Sequence, residues 1–136
     1  MIRPSLWLRH LPLVLIGAGG LLAAAPALAA DTAKEIATAA EHADLAANAA
    51  DVKMVKAHLH HTINCLVGPE GDHFDVKELN PCQDLGNGAI PETTDPTKKK
   101  ALEDAFKKAM SGLAAHDVAA AKAIAAETET LIKSAM

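Results

Sequence analysis

The sequence feature that most constrains the fold is a proline- and glycine-rich interval between two segments that favour helix. Residues 67–97 read VGPEGDHFDVKELNPCQDLGNGAIPETTDPT and contain four prolines and four glycines. Proline lacks an amide donor and both residue types disfavour helix interiors, so no long helix is expected there. Residues 31–66 contain neither residue, and residues 98–136 contain only Gly112. The pattern therefore predicts two helical segments joined by a long irregular linker.

The two helical segments also resemble each other. When Asp51 is aligned with Asp117, Val52 meets Val118, and both segments read as helix, short polar break, aspartate, helix. Aspartate favours the first position of a helix because its carboxylate accepts from the free amides of the first turn. We expect an all-α fold, an antiparallel four-helix bundle of two hairpins joined by a disulfide-pinned linker. The helices are expected over residues 32–48, 51–66, 98–114 and 117–134.

An alternative remains open for the first segment. Residues 48–51 are Asn-Ala-Ala-Asp, a weak helix break. One uninterrupted helix over residues 32–66 would give a three-helix bundle instead. The sequence alone does not decide between the two arrangements.

The N-terminus has the layout of a secretory signal peptide. Arg3 and Arg9 precede an apolar run, LPLVLIGAGGLLAAA, and the small-residue box PALAA follows. We place the cleavage after Ala29, which leaves residues 30–136 as a single helical domain in the periplasm. An uncleaved anchor is the alternative, although the run of about 15 residues is short for a span of about 20.

The charge and composition of the chain limit the kinds of molecule that it is expected to bind. Without Arg3 and Arg9, the chain carries 11 basic and 17 acidic side chains. This excess of negative charge disfavours nucleic acid and anionic membranes as partners and favours cations. Phe74 and Phe106 are the aromatic residues left, so the core must be built from small aliphatic side chains.

Cys65 and Cys82 are the only cysteines. Two cysteines in an oxidising compartment usually pair, and a bond across 17 residues would stabilise the fold by about 3 kcal/mol. We therefore predict a Cys65–Cys82 disulfide. The alternative is that both remain thiolates and bind a metal.

The stretch HLHHTINC, residues 58–65, points to metal chemistry. At 100° per residue, an apolar stripe from Val52 to Leu66 faces the core, whereas His58 and His61 lie together on a different face. A chain reversal near residues 48–51 would bring His42 level with His58. We predict a metal site of His42, His58 and His61 that binds copper or another divalent transition metal. His73 and the linker acids Asp72, Asp75 and Glu78 are candidates for a lid over this site. Ordinary hydrogen-bonded helix histidines are the alternative.

Two stretches resemble a known family. TAAEHADLAANAADVKMVKAHLHH and LEDAFKKAMSGLAAHDVAAAKAIAAE are similar to the hairpins of the small metal-binding proteins, which are periplasmic four-helix bundles with histidines on their helices. The resemblance covers both hairpins and not the linker. It implies reversible binding of divalent metals, copper above all, for buffering or scavenging, with His42 and His58 as matching histidines.

Other functions receive less support from the residues. A structural or protein-interaction module acting through residues 67–97 would use the apolar linker residues Phe74, Leu85 and Ile90. A haem bundle would need histidine and methionine ligands, and it would lack the covalent C-x-x-C-H attachment motif. We expect no enzyme, because the sequence shows no glycine-rich phosphate loop and no nucleophile elbow.

Overall fold

The computed structural model describes residues 30–136, so the predicted signal peptide, residues 1–29, lies outside the described residues. This part of the chain forms five helices, which confirms the all-α prediction. They are α1 (Thr32–Asn48), α2 (Val52–Val67), α3 (Ala89–Glu92), α4 (Pro96–Ala114) and α5 (Val118–Lys133). None of these helices is both long enough and apolar enough to cross a membrane.

The break between α1 and α2 is real, and the single long helix over residues 32–66 is not formed. Ala49 is extended, and the carboxylate of Asp51 accepts from the amide of Met54 at 2.9 Å. Asp117 repeats this arrangement before α5, where its carboxylate accepts from the amide of Ala120 at 2.8 Å. Each aspartate satisfies an amide that the first helical turn leaves free, so it starts a new helix after a short connection.

The long helices pack into a bundle with an alanine-rich core. α1 contacts α2 and α5, and α4 contacts α5 and α2. Small side chains such as Ala39, Ala43 and Ala125 are fully buried, which allows the helix backbones to approach closely. Most of the large side chains come from α2, whose predicted apolar stripe faces the core: Val55, Leu59, Ile63 and Leu66 are buried.

The disulfide between Cys65 and Cys82 is formed, as predicted, so these sulfurs are not metal thiolates. Both cysteines are buried, and their Cα atoms lie 5.2 Å apart. The bond fastens the linker to the end of α2, the helix that carries His58 and His61. The linker residues Phe74, Leu85 and Ile90, which the alternative of a protein-interaction module would use, are partly buried against the core.

The linker returns to α2 through a close backbone contact. Gly68 ends the helix with a φ of 71°, a conformation that favours glycine. A Cβ atom at this position would lie 1.7 Å from the carbonyl oxygen of Asn87. Glycine at this position therefore allows the positive φ that ends α2, and it leaves space for the backbone of Asn87 to pack against it.

A buried glutamate on α1 holds the end of the linker. Glu35 is fully buried, and its Oε1 accepts from the amide of Gly88 at 2.9 Å. The carboxyl of Glu92, on α3, lies beside it and accepts from the amide of Asn87 at 2.7 Å. Burial, reinforced by Glu92, raises the pKa of Glu35 from 4.5 to about 7. The other oxygen of Glu35, Oε2, has no hydrogen-bond partner among the described residues, so a proton on Glu35 would let it donate to the neighbouring carboxyl of Glu92.

Candidate metal centre

Three imidazole rings meet where α1 faces α2. His42 lies on α1, and His58 and His61 lie on α2. The three-residue spacing of His58 and His61 puts both rings on one side of α2, and the short connection at residues 49–51 returns the chain so that His42 faces them. One nitrogen from each ring lies within 4.8 Å of the other two. The structure thus brings the three predicted ligands together.

One nitrogen–nitrogen distance in the cluster fits a metal site, and it fits equally well a hydrogen bond between the two rings. The Nδ1 atoms of His42 and His58 are 3.3 Å apart. Zinc–nitrogen bonds of about 2.0–2.1 Å at tetrahedral angles place two ligand nitrogens about 3.4 Å apart. The ring of His61 stands edge-on to both others, with centroids 5.1 Å from His42 and 5.5 Å from His58. A three-nitrogen set would need the nitrogen of His61 to lie about 3.4 Å from the other two, within the 4.8 Å limit that the three already meet.

The electrostatic environment favours uncharged rings. Burial, followed by the nearby His61 and His58, lowers the pKa of His42 from 6.5 to about 4. Burial, and then His58, also lowers the pKa of His61, while the carboxylate of Glu78 opposes this shift. Neutral imidazole is the form that offers a lone pair to a metal ion. Two of the three rings are therefore already in the binding form at neutral pH.

The linker contributes a carboxylate to the outer side of this cluster. The Oε2 of Glu78 lies 3.7 Å from the Nε2 of His61. The other nitrogen of that ring, Nδ1, is buried and has no hydrogen-bond partner among the described residues. Glu78, which the sequence suggested only as one of three lid acids, is the linker acid that reaches a ring of the cluster.

The remaining histidines of the described chain lie outside the cluster. His60 faces Asp75, with 3.8 Å between its Nδ1 and the carboxylate. The ring of His73 packs against Phe106 at a centroid distance of 5.7 Å. His116 lies in the connection before α5. Across residues 30–136, the cluster of His42, His58 and His61 is the one group of three such side chains close enough to hold an ion.

Sequence reasoning missed Asn64, which organises the linker above the cluster. Asn64 is fully buried near the end of α2, and its side-chain amide donates to the carbonyls of Asp75 at 3.0 Å and Leu79 at 3.1 Å. A buried amide side chain must satisfy several hydrogen bonds, so its position in an otherwise apolar helix end was the available signal.

Comparison with known proteins identifies no relative. No protein-family model, no curated protein and no solved structure matches this chain. The functional argument therefore depends on the geometry and chemistry of the site.

Proposed function

We propose that this protein is a periplasmic metal-binding protein that buffers or scavenges divalent or copper ions through His42, His58 and His61. The single observation that carries this proposal is the convergence of three ring nitrogens within 4.8 Å of one another. The three rings are half-buried, and the Nδ1 of His61 has no hydrogen-bond partner among the described residues. Imidazole nitrogens suit copper, zinc and nickel.

Three further features support the proposal. The lowered pKa of His42 and of His61 reduces competition from protons. The N-terminal layout of basic start, apolar run and small-residue box favours export to the periplasm, where a disulfide persists. The resemblance to the small metal-binding proteins agrees with an antiparallel four-helix scaffold of two hairpins, and we propose membership of that family on this basis.

The decisive experiment measures binding of zinc and copper(II) by equilibrium dialysis at pH 7.5. We expect the parent to bind one ion per chain at this site and the H42A/H58A/H61A variant to lose it. The H60A/H73A/H116A variant is a matched control, because it also removes three histidines but leaves the cluster intact. Equal binding by the parent and the cluster variant would reject the site.

A second candidate function is partner binding by the linker, residues 67–97. Val76 is 84% exposed and Leu79 is 58% exposed, so two apolar side chains of one linker segment face the solvent. A pull-down from periplasmic extract with the parent and with V76S/L79S would test it. A partner held by the parent and lost by the variant is expected, and identical profiles would reject this function.

A further inference from the structure

The two nitrogens of His61 have different surroundings. Nε2 faces the carboxylate of Glu78 at 3.7 Å, whereas Nδ1 is buried without a hydrogen-bond partner in the described chain. A neutral imidazole carries one proton, and the acceptor beside one nitrogen decides which nitrogen keeps it. A carboxylate beside Nε2 favours the proton there and leaves the lone pair on Nδ1.

The position of Glu78 is set by α2 itself. The side chain of Asn64 donates to the carbonyls of Asp75 and Leu79, and its Oδ1 accepts from the amide of Asp75 at 2.9 Å. The disulfide from Cys65 to Cys82 fastens the same segment three residues beyond Leu79. The segment over residues 75–79 is therefore tied to the helix that carries His58 and His61.

We propose that Glu78 is a positioning residue of the metal centre: its carboxylate accepts a hydrogen bond from the Nε2–H of His61 and so presents Nδ1 to the ion. This inference rests on the proposed function. The present 3.7 Å exceeds the length of a hydrogen bond, about 2.7–3.2 Å. We expect this contact to shorten on binding, because an ion on Nδ1 would make Nε2–H a stronger donor and the Glu78 side chain is 35% exposed.

The neighbouring pair of His60 and Asp75 supplies an internal comparison. Asp75 lies in the same linker segment and faces a histidine of the same helix at a similar distance, 3.8 Å. His60, however, does not belong to the three-histidine cluster. If negative charge on the linker raised zinc affinity in a general way, both Asp75 and Glu78 would contribute. If the affinity depends on the orientation of His61, only Glu78 contributes.

The test uses the full mature chain with its disulfide intact and zinc as the probe. Outer carboxylates of this kind typically change metal affinity by about 10–100-fold, so we expect E78Q to bind zinc at least about tenfold more weakly. D75N should bind as the parent does. In an H61A background, E78Q should cause no further loss, because Glu78 then has no ring to orient. Titration calorimetry with a competing chelator measures each affinity.

The outcomes separate this inference from the proposed function. If the parent binds zinc but E78Q binds equally well, or if the E78Q loss persists undiminished in H61A, Glu78 does not act through His61 and the inference fails alone. If the parent binds no zinc, the proposed function fails first. Nitrogen-15 NMR of the zinc-free protein adds a readout independent of affinity: we expect the Nε2–H tautomer at His61 in the parent and a smaller share of it in E78A, which, unlike E78Q, has no oxygen to accept from Nε2–H. An Nδ1–H tautomer in the parent would overturn the inference.

Discussion

Replacing Glu35 with glutamine should change how the stability of this protein depends on pH. Burial, and then Glu92, raises the pKa of Glu35 from 4.5 to about 7 in the folded chain. The folded state therefore holds this proton more tightly than the unfolded state does. The resulting stabilisation is complete below pH 4.5 and is lost as the pH rises through 7. At about 1.4 kcal/mol per pKa unit, the loss amounts to about 3 kcal/mol.

Glutamine cannot ionise, yet it retains the hydrogen-bonding pattern of the protonated acid. Its oxygen can accept from the amide of Gly88, and its NH₂ group can donate to Glu92. We therefore expect the free energy of unfolding of E35Q to rise relative to that of the parent by roughly 2 kcal/mol between pH 5 and pH 8. Urea denaturation at several pH values measures this difference.

The quantity to compare is the difference in the free energy of unfolding between E35Q and the parent at each pH. The lowered pKa of His42 gives the opposite trend, because stability from a neutral buried histidine is complete above pH 6.5 and falls as the pH drops towards 4. This contribution is common to both proteins and cancels. Glu41→Gln, an exposed substitution on the same helix, controls for the loss of a carboxylate. A difference between E35Q and the parent that stays constant from pH 5 to 8 would refute the reasoning.

Three further predictions follow from other parts of the structure. The C65A/C82A variant should lose about 3 kcal/mol of unfolding free energy, because it opens a loop with a sequence separation of 17; equal urea midpoints under oxidising conditions would contradict this. The imidazole of His42 should titrate with a midpoint near pH 4 by NMR in the parent and higher in H61A, since His61 is one cause of its lowered pKa; a midpoint near 6.5 in the parent would count against the packed cluster. Asn64→Ala should release residues 75–79, which would appear as faster proteolytic cleavage of the linker and as weaker zinc binding like that of E78Q; unchanged cleavage would show that the linker is held by other contacts.

The sequence was most informative where local rules decide the structure. The aspartates at 51 and 117 start helices because a carboxylate beside free amides stabilises the first turn wherever it occurs. The periodicity of α2 placed Leu59 and Ile63 in the core and His58 with His61 on another face. Given the chain reversal, the helical rise predicted that His42 lies level with His58, whereas the rotation of α1 that turns His42 towards α2 could not be predicted in this way.

Features created by the path of the linker could not be predicted in this way. Glu35 reads as an ordinary acid in the first turn of a helix, where negative charge is favourable and usually exposed. Its burial arises because the chain near Gly88 returns to α1, and no local pattern encodes that return. The short α3 helix and the role of Asn64 have the same origin, since each depends on contacts between distant parts of the chain.

The three candidate ligands all come from residues 42–61, a continuous segment of two helical stretches and one tight connection. Closing so short a loop costs little chain entropy, so the ligands can meet before the distant helices have docked. If the proposed function holds, an ion that arrives during folding would bind before the molecule is fully folded, and its binding would favour folding of the remaining helices. The yield of folded protein would then depend on the concentration of available metal, because the candidate ligands are close together in the sequence.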